Sequence, residues 1–148
     1  AIFFAKGVVE TVKKLNWVPD IIHVHGWLAA MLPIYMKHFY KNEALFSDTK
    51  IVTSVYSQSF EGSLDIEMIN KIKFDGVPND AISYLETPDY ENIMKATINH
   101  SDAVIIASEN LSSSLTKFIE SSGKPFLPFA SKDKFAETYS NFYKNFVL

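Results

Sequence analysis

The sequence predicts an α/β fold in which a parallel sheet is covered by helices on both faces. Three observations lead there. Segments with helical periodicity alternate with short apolar runs. Those runs are continuous rather than alternating, as expected of strands buried on both sides. The 148 residues are 47% hydrophobic and 21% charged, ordinary for one globular domain, and a chain this long buries roughly 70% of its unfolded surface. Residues 1–148 are therefore read as a single domain.

Phe4, Val8, Val12 and Leu15 recur at helical spacing, and Pro19 ends that helix. Ile21 to His25 reads as a buried strand bounded by Asp20 and Gly26. Trp27, Met31 and Tyr35 share one helical face in a helix ending near Tyr40, with Pro33 marking a kink or a late start. Asn42 to Asp48 is polar loop. Lys50 to Tyr56 is β-branched and reads as a second strand. Helical patterning follows from Gly62 to about Lys73, then turn chemistry at Asp75 to Asp80. A helix from about Asp89 to Asn99 precedes the clearest strand, Ala103 to Ala107. Ser108 is expected to cap the next helix and Gly123 to terminate it. Phe126 to Phe129, flanked by prolines, reads as an edge strand or an extended tether. A last helix spans about Lys132 to Phe146, with Phe135, Tyr139, Phe142 and Phe146 as an aromatic stripe. That stripe docks on the sheet or meets a partner domain.

The chain opens at Ala1 without Met and runs straight into Phe3 and Phe4 with no capping residue. It is expected to begin inside a helix, with an upstream portion removed and an exposed apolar edge or face where that portion packed. Tyr139, Phe142 and Tyr143 on the closing helix read as a natural end.

Composition excludes several function classes. Net charge is −3, and every basic residue is lysine. No guanidinium is present to clamp phosphate or guanine, so a nucleic-acid partner is not expected. Cysteine is absent, which removes disulfides, thiolate zinc sites and thiol catalysis and fits a cytoplasmic location. No apolar run approaches the ~20 residues of a membrane span, and no signal-peptide layout opens the chain, so no membrane partner is expected.

In open parallel sheets, ligands bind beyond the carboxyl ends of the strands. Here those ends carry His25-Gly26-Trp27, Tyr56-Ser57-Gln58 and Ser108-Glu109-Asn110, which should converge on one crevice. His23 and His25 point to one face of their strand, but no third ligand stands at a matching spacing, so no metal site is expected. His23 reads better as a core histidine bonded to backbone, and His25 as facing solvent or ligand. Gly26 eases a turn or admits a ligand close to the backbone. Trp27 either stacks on a sugar or packs with Met31 and Tyr35. Glu109 is an acid or base, or simply a favourable charge in a helix's first turn. No glycine-rich phosphate loop occurs.

Three segments carry a family resemblance. Pro19-Asp20-Ile21-Ile22-His23-Val24-His25-Gly26-Trp27-Leu28-Ala29-Ala30, followed by Leu32-Pro33-Ile34-Tyr35, resembles the Pro-Asp…His-x-His-Asp-Trp stretch of bacterial glycogen synthases and plant starch synthases. Thr53 to Ser57 with Phe60-Glu61-Gly62 is similar to the family's Thr-Ile-His-Asn…Tyr-Gln-Gly segment. Lys95-Ala96-Thr97-Ile98, then Ser101-Asp102-Ala103-Val104 and Ser108, resembles its third. The order is right and the segments span roughly residues 4 to 115.

The resemblance implies half of a GT-B glycosyltransferase, a Rossmann-like domain on the acceptor side of a two-domain cleft. The family transfers glucose from ADP-glucose or UDP-glucose to an α-1,4-glucan with retention and without a required metal or other cofactor. It implies that His25 is the histidine contacting the transferred glucose. It places Gly26, Trp27, Tyr56, Ser57, Ser108 and Glu109 as substrate-binding candidates. The implied partners are the glucan acceptor and the sugar nucleotide, with a second domain or another copy of the chain completing the cleft.

Departures accompany the match. Gly26 stands where the family has Asp, Leu28 where it has a second His, and Tyr56-Ser57 where it has His-Asn. The Lys-x-Gly-Gly-Leu donor loop is absent, as are the cations that hold the donor diphosphate. These differences keep open a non-catalytic domain that binds glucan or sugar nucleotide, or regulates a partner. A metal enzyme using His23 and His25 is a third reading.

Overall fold

The computed structural model describes residues 1–147, with the side chains of Lys132, Phe146 and Val147 outside the description. Four parallel strands form one sheet in the order β1 (Ile21–His25), β2 (Lys50–Val55), β3 (Ala103–Ile106), β4 (Phe126–Leu127). His25 lies opposite Ser54, and Val55 opposite Ile106, so the carboxyl ends of the strands lie side by side. Phe126–Leu127 pairs with β3 as an edge strand, which decides between the two readings of that segment.

Helix α1 (Ile2–Lys14) precedes β1, and α2 (Met31–His38) connects β1 to β2. Between β2 and β3 come α3 (Glu67–Phe74) and α4 (Tyr90–Asn99); α5 (Ser113–Ser121) joins β3 to β4, and α6 (Phe135–Phe142) follows. A π-helical turn, Tyr143–Val147, extends α6.

Side-chain alternation along the strands separates two cores. Ile22, Val24, Ile51, Val55 and Val104 face the layer of α1 to α5. Ile21, Val52, Ala103, Ile105 and Leu127 face Tyr139, Phe142 and Tyr143. Tyr139 and Phe142 of the expected aromatic stripe thus dock on the sheet, while Phe135 stays exposed against the Tyr139 ring; helices cover both faces, the α/β Rossmann-like half expected of a GT-B fold. Phe146, the fourth member of the expected stripe, lies outside the described side chains. Asp102 ties the layers together: Oδ2 accepts from the Ile51 amide and Oδ1 from Nζ of Lys37, each at 2.8 Å.

Several elements differ from expectation. The helix expected from Trp27 is a 3-10 turn, Trp27–Ala29, before α2 starts at Met31. Pro33 falls in the first turn of α2, where its missing N–H costs nothing, so it marks a late start rather than a kink. The helix expected from Gly62 begins only at Glu67. Leu64 instead donates its amide to the Pro88 carbonyl at 3.0 Å and Ser63 bridges Asp89, which holds 63–64 extended.

Ser108 does not cap α5; Ser112 does, its hydroxyl accepting from the Leu115 amide at 3.3 Å. Leu111 turns inward against the cluster of Leu115 and Ile119, so the buried helical face starts there. Gly123 terminates α5 at φ +70°, as read. Asp89 caps α4, its carboxylate accepting from the Asn92 amide at 2.8 Å.

Exposed apolar side chains include Phe3, Leu15, Trp17, Val18 and Phe74. Trp17 and Val18 stand next to β1, whose outer edge pairs with no strand among the described residues. No helix among the described residues is long and apolar enough to cross a membrane.

Candidate functional site

The candidate residues gather where β1, β2 and β3 end. Continuing the alternation of β2 by two residues past Ser54 brings Tyr56 to the His25 face. Nδ1 of His25 lies 2.8 Å from the Tyr56 hydroxyl. The Ser57 amide donates to the Ser108 hydroxyl at 3.0 Å, joining the ends of β2 and β3. The Tyr90 hydroxyl donates to the Tyr56 carbonyl and pins the same loop to the start of α4. His25, Tyr56, Ser57 and Ser108 are therefore brought together as the strand topology requires.

Gly26 adopts φ +69°, and a Cβ there would meet open space. The glycine is required by backbone conformation and not by crowding. It turns the chain sharply off β1 into the Trp27–Ala29 turn, leaving His25 exposed at the tip.

Trp27 does not join this group. Its half-buried ring meets the edge of Phe60 at 5.1 Å between centroids, beside the α4–α5 core. Met31 and Tyr35 are fully buried in the other cluster, because the 3-10 turn breaks the helical register that would have aligned all three. Trp27 instead lines an open cavity of about 820 Å³ with Ile2, Leu28, Leu64 and Met68. Glu109 is exposed in a turn four residues before α5 begins. It is therefore not a first-turn charge, a consequence of the cap moving to Ser112. A second cavity of about 340 Å³ is lined by Tyr56, Ser57, Tyr90, Glu91 and Ser112. His25 lines neither cavity.

His23 is a core histidine, but its partners are side chains rather than backbone. Nε2 lies 2.8 Å from the Ser54 hydroxyl and Nδ1 2.5 Å from the Tyr143 hydroxyl. Both imidazole nitrogens are thus engaged by hydroxyls from β2 and the C-terminal helix. Among the described residues no three histidine or carboxylate groups gather in a metal-holding arrangement. The His23 and His25 rings stand 4.0 Å apart.

Burial, reinforced by the neighbouring His25, pushes the His23 pKa down to about 4. Partial desolvation of the otherwise exposed ring also lowers that of His25. Both imidazoles are neutral near pH 7. The site thus offers a neutral imidazole, a phenol and two serines: hydrogen-bonding chemistry suited to polyhydroxylated ligands.

Reading by motif missed the residues that brace these groups. Tyr143 and Tyr90 act through hydroxyls whose partners lie 120 and 34 residues away. Nothing in local spacing signals such pairs. The aromatic stripe was the one available sign that α6 meets the sheet.

A family model described as the starch synthase catalytic domain matches residues 1–123. The chain is 35% identical over 108 residues to a glycogen synthase of Chlorobium limicola, covering 72% of this chain and 21% of that protein. A glycogen synthase of Clostridium perfringens is 30% identical over 110 residues, covering 72% and 22%. One from Thermotoga maritima is 33% identical over 106 residues, covering 70% and 21%. The chain spans about a fifth of the length of these curated relatives. No solved structure matches significantly.

Proposed function

Because this chain belongs to the glycogen and starch synthase family, we propose that it forms the acceptor-side half of a glucosyltransferase site. In this reading residues 1–148 are one Rossmann-like domain, and the reaction moves glucose from ADP-glucose or UDP-glucose to an α-1,4-glucan. The observation that carries the reading is the convergence of His25, Tyr56, Ser57 and Ser108 at the carboxyl ends of the parallel strands.

His25 contacts the transferred glucose through the imidazole edge that Tyr56 leaves free. Tyr56, Ser57 and Ser108 order the adjoining loop, the backbone at Gly26 lies open to the ligand, and Glu109 reaches it from the rim. Trp27 offers an apolar platform on the side of the larger cavity, suited to the glucan. Expulsion of a nucleoside diphosphate needs cationic stabilisation. This chain carries no arginine, and none of its lysines bonds within the crevice among the described residues. The diphosphate is held by a second domain or a second copy across the cleft, and no resident cofactor is required. A cytoplasmic setting accompanies this chemistry.

A second reading rests on the Tyr56 hydroxyl, which engages His25 where the family has a histidine. It makes the chain a non-catalytic domain that binds glucan or sugar nucleotide, or regulates a partner.

Glucosyl transfer by the full-length native protein, from labelled ADP-glucose and UDP-glucose to glycogen, tests the first reading and names the donor. Glycogen binding without incorporation from either donor would replace it with the second.

A further inference from the structure

The helix that covers the histidine-bearing face of the sheet lies beyond the stretch matched by the family model. That match ends at residue 123, whereas α6 and its π-helical extension span residues 135–147. Two of its tyrosines converge on one ring. Tyr143 reaches Nδ1 of His23 at 2.5 Å, its ring edge-on at 5.8 Å, and the Tyr139 ring stands 6.0 Å away. Ser54 holds Nε2 of that imidazole from β2. His23 is thereby fixed at both nitrogens, and its ring is the surface against which His25 lies.

We propose that Tyr143 is a positioning residue for the crevice: by holding Nδ1 of His23, it fixes the ring that orients His25 at the tip of β1. Tyr143 touches no ligand itself. It acts through His23 on the one histidine exposed where the strands end.

The surroundings make this a hydrogen-bonded brace and not an ionic one. The groups facing His23 and His25 are each other, Ser54 and Tyr56 from β2 and its following loop, and Tyr139 and Tyr143 from α6. No carboxylate or ammonium pairs with either imidazole among the described residues. Burial holds the Tyr143 phenol above its ordinary pKa, so it keeps its proton. A neutral imidazole has one donor and one acceptor nitrogen. When Tyr143 donates to Nδ1, Nε2–H donates to Ser54, which selects one tautomer. Removing the phenol frees the ring to rotate and to exchange tautomers.

The effect on ligand binding rests on the functional reading above; the positioning does not. The test is Tyr143→Phe in the full chain, which keeps the apolar packing of α6. Long-range proton–nitrogen spectra of the imidazoles are recorded from about pH 4 to 8, where histidines titrate. The expected result is a changed His23 tautomer balance together with a displaced His25 signal, its titration midpoint moved by on the order of half a pH unit. A change confined to His23, with His25 untouched, would overturn the proposal. If Tyr143→Phe does not fold, Ser54→Ala loosens the same ring from its other nitrogen and is held to the same criterion.

Calorimetry with ADP-glucose and with a maltooligosaccharide then separates the two readings. Where the wild type binds either ligand, Tyr143→Phe should weaken it by roughly threefold to tenfold, the value of one hydrogen bond. Unchanged affinity beside altered imidazole spectra would show that the ligand is not held at His25 and would count against the functional reading, whereas unchanged affinity with His25 unmoved in the spectra would overturn the proposal. Absence of wild-type binding to both would count against the functional reading alone, and the imidazole spectra would still decide the role of Tyr143.

Discussion

Nδ1 of His25 and the hydroxyl of Tyr56 meet 2.8 Å apart across the ends of two adjacent parallel strands. The register sets this pair, since His25 lies opposite Ser54 and Tyr56 returns to the same face two residues later. Tyr56→Phe removes the hydroxyl while leaving the Tyr90 bond to the Tyr56 carbonyl in place. Because the His25–Tyr56 contact is exposed, stability should change by less than about 1 kcal/mol. Affinity for a sugar ligand should change severalfold. Urea denaturation and calorimetry check the two halves; a large loss of stability would make the hydroxyl structural.

His23 links the same face to pH. Its folded pKa is about 4 against an ordinary 6.5, lowered by burial and then by His25. The unfolded chain therefore takes up the proton first as pH falls. Stability contributed by neutral His23 is fully present above about pH 6.5, declines below it, and is lost by about pH 4. The loss should be on the order of 2 kcal/mol, moderated by the ring's partial exposure. His23→Gln should flatten the denaturation profile across that window. An equally steep profile in the variant would show that other groups govern it.

Asp75 accepts from the fully buried Tyr35 at 2.7 Å and from Lys6 at 3.0 Å, joining α1, α2 and the end of α3. Burial raises the Asp75 pKa, but the bonds from Tyr35 and Lys6 outweigh it and hold it below 3.8. Its contribution is present above about pH 4 and lost as pH falls through the lower folded value. Tyr35→Phe should cost about 1.5–3 kcal/mol, as expected for a bond to a charged acceptor. Thermal denaturation at neutral pH and again at about pH 3 should show that cost shrinking in acid.

Ser112 and Ser108 make a matched pair. Ser112→Ala removes the cap of α5 and should cost about 1 kcal/mol. Ser108→Ala leaves α5 capped and releases the Ser57 amide, so it should disturb the crevice more than the fold. Denaturation midpoints and the Ser57 amide signal distinguish the two. Equal destabilisation by both would show that the loop of Ser108 also supports the helix.

The matched segments and the periodicity together made the sheet legible, because a strand buried on both faces must be a continuous apolar run. Ala103–Ile106 is such a run, Ile21–His25 and Lys50–Val55 are apolar runs interrupted by His23 and by Thr53-Ser54, and together they bring His25, Tyr56 and Ser108 to one end of the sheet. The late start of α3 was not legible, since the patterning from Gly62 onward is helical. The pairing of Ser63 and Leu64 with residues 88–89 overrides it. The cap of α5 was misplaced because Ser108, Ser112, Ser113 and Ser114 all suit an N-cap locally, and only the inward turn of Leu111 selects among them.

The sequence by itself determined the α/β class, the strand ends at which His25, Tyr56 and Ser108 gather and the family to which the chain belongs. Those properties follow from local composition and periodicity and from motifs contiguous along the chain. Tertiary structure alone decided that Trp27 parts from Met31 and Tyr35, that both nitrogens of His23 are occupied, and that Tyr143 supplies one of the partners. A hydrogen bond spanning 120 residues depends on how α6 lies across the sheet. That placement comes from packing summed over many apolar contacts and leaves no trace in the spacing of the residues it joins.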